Sequence, residues 1–200
     1  MMRNNKMNRN KRMVIGILII AGSIIVVLIV LGLRIAVGES ILIVDKEEAH
    51  FPVVSGYNLD RKEFEFPRDF EGEYNLVIVP FQQKQQLDVN TWIPAAQELE
   101  RTTPGLVYYE LPTIYKLPTL SRTFINEGMR AGIPDQTSRE RTITLYLDKE
   151  MFKGALDVRT EQEISLFLVN RKGELLWRSE GTFSEEKVQD LITTLEKIRE

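Results

Sequence analysis

The longest apolar run of the chain extends from Met13 to Leu33 and contains 21 residues without a charged side chain. At ~1.5 Å per helical residue this run forms a helix of ~31 Å, which matches the hydrocarbon core of a bilayer. A helix in a soluble core is rarely apolar on every face along its whole length. The pattern therefore predicts a transmembrane helix at 13–33.

Basic residues before this run predict its orientation. The tail 1–12 holds five of them and no acidic residue, whereas Arg34 is the lone early cation beyond the run. Because Lys and Arg concentrate in cytoplasmic flanks, we expect 1–12 to form a cytoplasmic tail and the rest of the chain to be extracytoplasmic. A cleaved signal peptide is the competing interpretation, since Ala36 and Gly38 are small, but the run exceeds the ~7–15 residues of a signal core.

After a linker at 34–50, short apolar segments between turn-forming residues predict a folded domain at 51–200. The segment Asn75–Phe81 is almost continuously apolar, so we expect a strand buried on both faces of a covered sheet. The segment Phe51–Phe66 indicates two strands around a turn at 56–60. We predict further strands at Leu106–Leu111, Thr142–Leu147, Ile164–Val169 and Glu174–Arg178, the last two joined by a turn that ends at Gly173.

Apolar residues at helical spacing predict three helices. The first carries Val89, Trp92, Ile93, Ala96 and Leu99. The second begins at Pro118 and carries Leu120, Phe124 and Ile125. The last follows a capping box of Thr182 and Glu185 and carries Val188, Leu191, Ile192, Leu195 and Ile198. Strands and helices in this order predict an α/β fold, an α/β/α layer sandwich with a mixed central sheet, and we expect Trp92 and Trp177 in its core.

Charge and cysteine content limit the chemistry of this domain. Six of the 26 basic residues precede residue 35 and all 29 acidic residues follow it, so the chain beyond Arg34 carries a formal charge of −9. This charge repels phosphate backbones, which excludes nucleic acid as the expected partner. The chain has no cysteine, and His50 is its single histidine. We therefore expect no thiol chemistry, no metal site and no cofactor.

Several segments, taken in order, resemble a known family. They are Phe51-Pro52, Leu59–Lys62, Asp69–Gly72 and Leu76–Phe81 near the start of the domain, and Phe167–Arg178 with Gly181 near its end. Their sequence and spacing are similar to membrane-tethered thioredoxin-like proteins of the peroxiredoxin and thiol–disulfide oxidoreductase type. The resemblance covers most of residues 51–200 and implies a thioredoxin-like fold.

The chain departs from this family at the positions where the family carries out its chemistry. In the thiol–disulfide branch two cysteines lie between a strand's final Phe and a Pro thirteen residues later, and Phe81 and Pro94 keep that spacing. The two cysteine positions then fall on Gln86 and Val89. The family's cis-proline falls on Ile164, where we expect a trans peptide because a non-proline cis bond costs ~2.5–4 kcal/mol. The resemblance thus implies a redox-inactive member.

Two groups of polar residues are candidate binding sites. One is the run Gln82, Gln83, Lys84, Gln85 and Gln86, on the loop where the family does its chemistry, for which a solvated loop is the alternative. The other is rich in arginine, which binds carboxylate or phosphate bidentately, and an internal salt-bridge network is its alternative. Its members are Arg122, Asn126, Glu127, Arg130, Asp135, Arg139, Glu140 and Arg141.

Two classes of function follow from these observations. The resemblance without its cysteines implies a non-enzymatic domain that binds an extended segment of a protein partner, as an assembly or folding factor for membrane complexes. The second class is an enzyme of unassigned reaction that uses the arginine and carboxylate cluster. The first is favoured because no residue of the sequence stands out as a poised nucleophile or base.

Overall fold

The computed structural model describes residues 49–199. Within this range no helix combines the length and the apolar character needed to cross a membrane. The predicted tail 1–12, the predicted span 13–33 and most of the linker lie outside the described residues.

The described residues contain eight strands in two sheets. The strands are β1 (Val54–Asn58), β2 (Glu63–Phe66), β3 (Tyr74–Val79), β4 (Leu106–Glu110), β5 (Thr113–Tyr115), β6 (Ile143–Leu147), β7 (Ser165–Asn170) and β8 (Leu175–Glu180). One sheet has the order β4-β3-β7-β8, with β3 parallel to β4 and antiparallel to β7. The other has the order β2-β1-β6-β5. The first sheet is mixed, as the sequence predicts, but β1, β2, β5 and β6 form a second sheet instead of joining one central sheet.

Five helices connect or follow these strands in the described part of the chain. They are α1 (Gln86–Thr102), α2 (Thr119–Gly132), α3 (Gln136–Arg141), α4 (Lys149–Ala155) and α5 (Glu185–Arg199). A short 3-10 turn, Gln83–Gln85, directly precedes α1. The sequence predicts α1, α2 and α5, whereas α3 and α4 are too short to show a helical stripe of apolar residues.

Strand β3 separates two apolar cores, because all six of its residues are buried. Leu76 and Ile78 pack on one face with Trp92 of α1 and residues of α5. Val77 and Val79 pack on the other face in a cluster rich in phenylalanine. This alternation confirms the prediction of a strand buried on both faces, and it places Trp92 in the core, where its Nε1 donates to the Gly181 carbonyl at 3.0 Å.

The carboxyl ends of β3, β5 and β6 meet at one edge of the domain, here called the carboxyl edge. β5 continues from β4 and runs parallel to β6, with Tyr115 beside Leu147. The amide of Thr113 donates to the Pro80 carbonyl at 2.9 Å, which joins β5 to the end of β3. The segments that follow these three strands therefore begin on the same side of the domain.

Two predicted boundaries differ from the structure, the turn of the first hairpin and the cap of the last helix. The first hairpin turns at 59–62 rather than 56–60, because Asn58 Oδ1 accepts the amide hydrogens of Asp60 and Lys62 and ends β1. The predicted capping box of the last helix is also wrong. The side chain of Ser184, not Thr182, caps α5 by accepting the amide hydrogen of Lys187 at 3.3 Å.

The apolar residues of the second helix are not all in the core. Leu120 and Phe124 are 84% and 81% exposed, and no residue of α2 is buried. The helix packs instead through its other side, where Met129 Sδ lies 4.0 Å from Thr144 Oγ1 of β6 and Asn126 accepts the Tyr146 hydroxyl at 2.8 Å.

Candidate functional site

The three positions that the resemblance assigns to redox chemistry lie at the start of α1 and beside β7. Gln86 is the first residue of α1, and Val89, its fourth residue, is fully buried. Ile164 is buried immediately before β7, and the peptide bond before it is trans, as expected. None of the three positions carries a cysteine or a cis-proline.

A buried glutamine amide fixes the loop between β3 and α1. Gln85 is 1% exposed, and its Oε1 accepts the amide hydrogens of Phe81 at 2.8 Å and Gln82 at 3.0 Å. The Nε2 atoms of Gln85 and Gln82 both donate to the Glu161 carbonyl, at 2.9 Å and 2.8 Å. These bonds tie the loop to the segment that leads into β7.

Two lysines of α4 complete this arrangement. Lys149 is 4% exposed, and its Nζ donates to the Phe81 carbonyl at 2.9 Å and to Glu161 Oε2 at 2.6 Å. Lys153 Nζ lies 3.0 Å from Glu161 Oε1. Burial opposes ionisation of Glu161, but the hydrogen bonds from both lysines lower the pKa of this carboxyl. We call Gln82, Gln85, Lys149, Lys153 and Glu161 the Gln85–Glu161 network.

This network changes the interpretation of the polar run 82–86. Gln83 and Lys84 are exposed, as a solvated loop requires, whereas the side chains of Gln82 and Gln85 are engaged within the domain. Sequence reasoning missed Lys149 and Glu161 entirely. A single buried lysine such as Lys149 produces no periodic pattern of apolar residues. Its partner, Glu161, lies twelve residues later in the sequence, on another segment.

A second buried carboxyl, Glu110 at the end of β4, interacts with Gln86. Glu110 is 3% exposed, and its Oε1 has no hydrogen-bond partner among the described residues. Burial raises the pKa of Glu110 to about 7, although the nearby polar side chains of Gln86 and Thr142 partly oppose this shift. The Thr142 hydroxyl is shared between two acceptors, Glu110 Oε2 at 3.4 Å and the Ser138 carbonyl at 2.8 Å.

Exposed apolar side chains border the Gln85–Glu161 network. Leu87 of α1 is 75% exposed, Tyr115 at the end of β5 is 53% exposed, and Met151 of α4 is 74% exposed. Lys149 Nζ lies 4.7 Å from the centre of the Tyr115 ring, so the network and this ring are in contact. We call Leu87, Tyr115 and Met151 the apolar rim. Leu87 and Met151 lie beyond the carboxyl ends of β3 and β6, and Tyr115 is the last residue of β5. The carboxyl ends of strands are where α/β sheets bind their ligands.

The arginine-rich group does not converge on one site. Arg122 donates to the Leu117 carbonyl at 2.6 Å and stacks over Tyr146, whose hydroxyl donates to Asn126. Asp135 caps α3 by accepting the amide hydrogen of Ser138 at 2.6 Å. The contacts of Arg122 and Asn126 stabilise α2, and the contact of Asp135 stabilises α3.

The remaining arginines pair with carboxylates of other segments. Arg141 lies 2.8 Å from Glu71 and 3.0 Å from Glu100, with its side chain 20% exposed. Arg139 Nε lies 3.5 Å from Asp60, and its Nη1 donates to the Pro134 carbonyl at 2.9 Å. Arg130 is 3.9 Å from the same aspartate and more exposed. This geometry favours the internal salt-bridge network over a ligand site.

A pocket elsewhere on the domain is small. It measures about 120 Å³ and lies between the end of α4 and β8, beside Phe167 and Arg178. Sites for small molecules usually measure ~300–1,000 Å³. The carboxyl edge is therefore a better candidate for a functional surface than this pocket.

Comparison with known proteins identifies the fold. No protein-family model matches the chain, and no curated protein matches it. A putative electron transfer protein from Aquifex aeolicus VF5 is 12% identical, with 74% of this chain and 95% of that chain covered and a TM-score of 0.52. A putative electron transport protein from the same organism is 11% identical, with the same coverage and TM-score. The pneumococcal exposed lipoprotein thioredoxin from Streptococcus pneumoniae strain TIGR4 is 13% identical, with 72% and 99% covered and a TM-score of 0.49.

At these identities the likeness shows the fold alone. The domain has a thioredoxin-like fold. The family resemblance found in the sequence is thus confirmed at the level of the fold. The chain has no cysteine at any position, so it cannot carry out the thiol–disulfide exchange that this fold commonly supports.

The raised pKa of Glu110 predicts a specific dependence of stability on pH. Because the folded state holds this proton more tightly than the unfolded state, stability falls as pH rises from about 4.5 to about 7 and then levels off. The full loss is roughly 3 kcal/mol at ~1.4 kcal/mol per pH unit. Glu110→Gln should remove most of it, as measured by urea unfolding at pH 5 and pH 8.

Glu127→Gln is the matched control for this measurement. Glu127 is exposed and paired with Arg61, which lowers its pKa below the tested range, so the slope should stay that of the unaltered chain. A Glu110→Gln variant with an unchanged pH slope would show that Glu110 is ionised throughout.

Arg141→Ala tests whether the arginine cluster is a scaffold. Removing Arg141 leaves Glu100 without its partner and uncovers Tyr109, so we expect a loss of ~2–3 kcal/mol in the free energy of unfolding. Arg130→Ala, in a more exposed and longer pair, should change stability by less than ~0.5 kcal/mol. Urea unfolding midpoints give both values. Unchanged stability of Arg141→Ala with loss of function would instead identify a ligand site.

Proposed function

We propose that this chain is a membrane-tethered, redox-inactive thioredoxin-like protein that binds a protein partner at the carboxyl edge. The observation that carries the proposal is the apolar rim beside the former redox loop. Its three large side chains are more than half exposed, whereas the chain has no cysteine with which to react. Tyrosine and methionine are enriched at protein interfaces.

The Gln85–Glu161 network supports a binding role because it holds the edge in a single shape. It joins the end of β3, the start of α1, the segment before β7, and α4. Rigid presentation reduces the entropy lost when a partner binds. The domain therefore offers a preorganised surface for an extended segment of another protein.

The proposed location rests on the sequence. The charge-free run 13–33 anchors the chain, and the basic tail 1–12 stays in the cytoplasm, which leaves the domain on the extracytoplasmic side. A redox-inactive binding domain held at a membrane suits an assembly or folding factor for membrane complexes. An enzyme that uses the arginine cluster is the alternative, and it is less favoured because Arg139 and Arg141 are already paired.

Site-specific photo-crosslinking in intact cells tests this function. A benzophenone amino acid at Leu87 or Tyr115 should give an adduct with the same protein, identified by mass spectrometry. Ile198 is the matched control position, because it is also apolar and exposed but lies on α5. The neighbouring residue Arg199 contacts Pro104, at the opposite end of the sheet from the carboxyl edge. Adducts that are as abundant from Ile198 would contradict a partner site at the carboxyl edge.

Two further substitutions, Leu87→Asp and the control Ile198→Asp, test whether formation of the adduct depends on the apolar rim. Leu87→Asp should remove most of the adduct formed from Tyr115, while the fold is kept, because an acid in the first turn of a helix is favourable. Ile198→Asp should leave that adduct unchanged. A full yield of adduct with Leu87→Asp would show that the rim does not bind the partner.

A further inference from the structure

The outer face of α2 is a second exposed apolar surface, separate from the rim. Leu120 and Phe124 lie one helical turn apart and are among the most exposed large apolar side chains of the described residues. Gly128, one further turn along, faces open space. The opposite face of the helix contacts β6 through Asn126 and Met129. We call Leu120, Phe124 and Gly128 the outer stripe of α2.

The charges around this stripe differ from those of the rest of the domain. Residues 116–132 include Lys116, Arg122 and Arg130 but a single acid, Glu127, although the chain beyond Arg34 carries a formal charge of −9. Arg61 pairs with this acid at 2.8 Å, and Arg130 lies 3.9 Å from Asp60, while Lys116 and Arg122 form no ion pair among the described residues. The segment that carries the stripe therefore has more basic than acidic residues, a combination with exposed apolar side chains that is typical of helices in the interface of anionic bilayers.

We propose that the outer stripe of α2 lies on the surface of the bilayer that holds the anchor, with lipid as its occupant; this rests on the proposed anchor at 13–33. The chain between that span and the described domain is 34–48, which reaches at most ~50 Å when fully extended. A domain of this size has a radius of gyration of ~15 Å, so its faces remain within reach of the membrane.

The tether explains why so small a stripe is sufficient. Two large side chains bury too little apolar area to hold a free soluble domain on a membrane. A covalent anchor makes this contact intramolecular and raises the effective concentration of the bilayer at the stripe. The domain then adopts a preferred orientation in which α2 faces lipid, and the linker is not its only connection with the membrane.

Spin labelling of the full chain in vesicles of phosphatidylcholine and phosphatidylglycerol tests the orientation. Because the chain has no native cysteine, Leu120→Cys, Phe124→Cys and the control Ile198→Cys each carry one nitroxide. Power saturation should give an oxygen-to-nickel-chelate accessibility ratio several-fold higher at 120 and 124 than at 198. Flotation of the same vesicles reports separately whether the chain is anchored.

The outcomes separate this inference from the proposed function. Labels at 120 and 124 as accessible to the nickel chelate as the label at 198, in chains that float with the vesicles, would overturn the inference and leave the anchor intact. Spin–spin broadening at 124 that grows with the protein-to-lipid ratio would identify a second copy as the occupant and also overturn it. Chains that fail to float would overturn the anchor and the inference together.

Discussion

The hydrogen bonds of Gln85 are the constraint on which the carboxyl edge depends. A buried amide is costly unless its oxygen and nitrogen both find partners, and Gln85 meets this need only if the loop amides and the Glu161 carbonyl hold fixed positions. Lys149 extends the same requirement to α4, since its buried charge needs the Glu161 carboxylate. Four separate segments are thereby held together at the place where the fold leads its redox loop into α1.

This arrangement explains how a thioredoxin-like domain can persist without its chemistry. The amide of Gln85 and the ammonium groups of Lys149 and Lys153 fill the region between the start of α1 and the segment before β7. Glu110 adds a buried carboxyl beneath Gln86, with a pKa raised by burial to about 7. The result is a polar, closely bonded network next to the Tyr115 ring.

Local sequence patterns were sufficient to predict much of the fold. The nearly uninterrupted apolar run of β3 reflects burial on both faces, and the apolar spacing of α1 reflects burial of one face. Both predictions are confirmed. The closing hairpin follows from Gly173, whose φ of 95° favours glycine. Apolar spacing also predicted α2 as a helix, but it did not reveal that Leu120 and Phe124 face outward.

The candidate site was less accessible to sequence reasoning because its contacts join distant segments. Gln85 and Glu161 are 76 residues apart, and no periodicity connects them. The polar run 82–86 was recognised as a candidate, but its division into buried and exposed residues depends on the packing of α4. The arginine group was likewise recognised, and only the structure separates it into pairs with Asp60, Glu71 and Glu100.

If Gln86 and Val89 occupy the redox positions of a thioredoxin-like fold, two cysteines at these positions should react with each other. We predict that Gln86→Cys with Val89→Cys forms an intramolecular disulfide under mild oxidant, because the two residues are one turn apart at the start of α1. The helix N-terminus should also lower the pKa of the first thiol below ~8.5. Mass spectrometry is unambiguous because no other cysteine is present. A double variant that stays reduced, or that crosslinks only between molecules, would contradict the account.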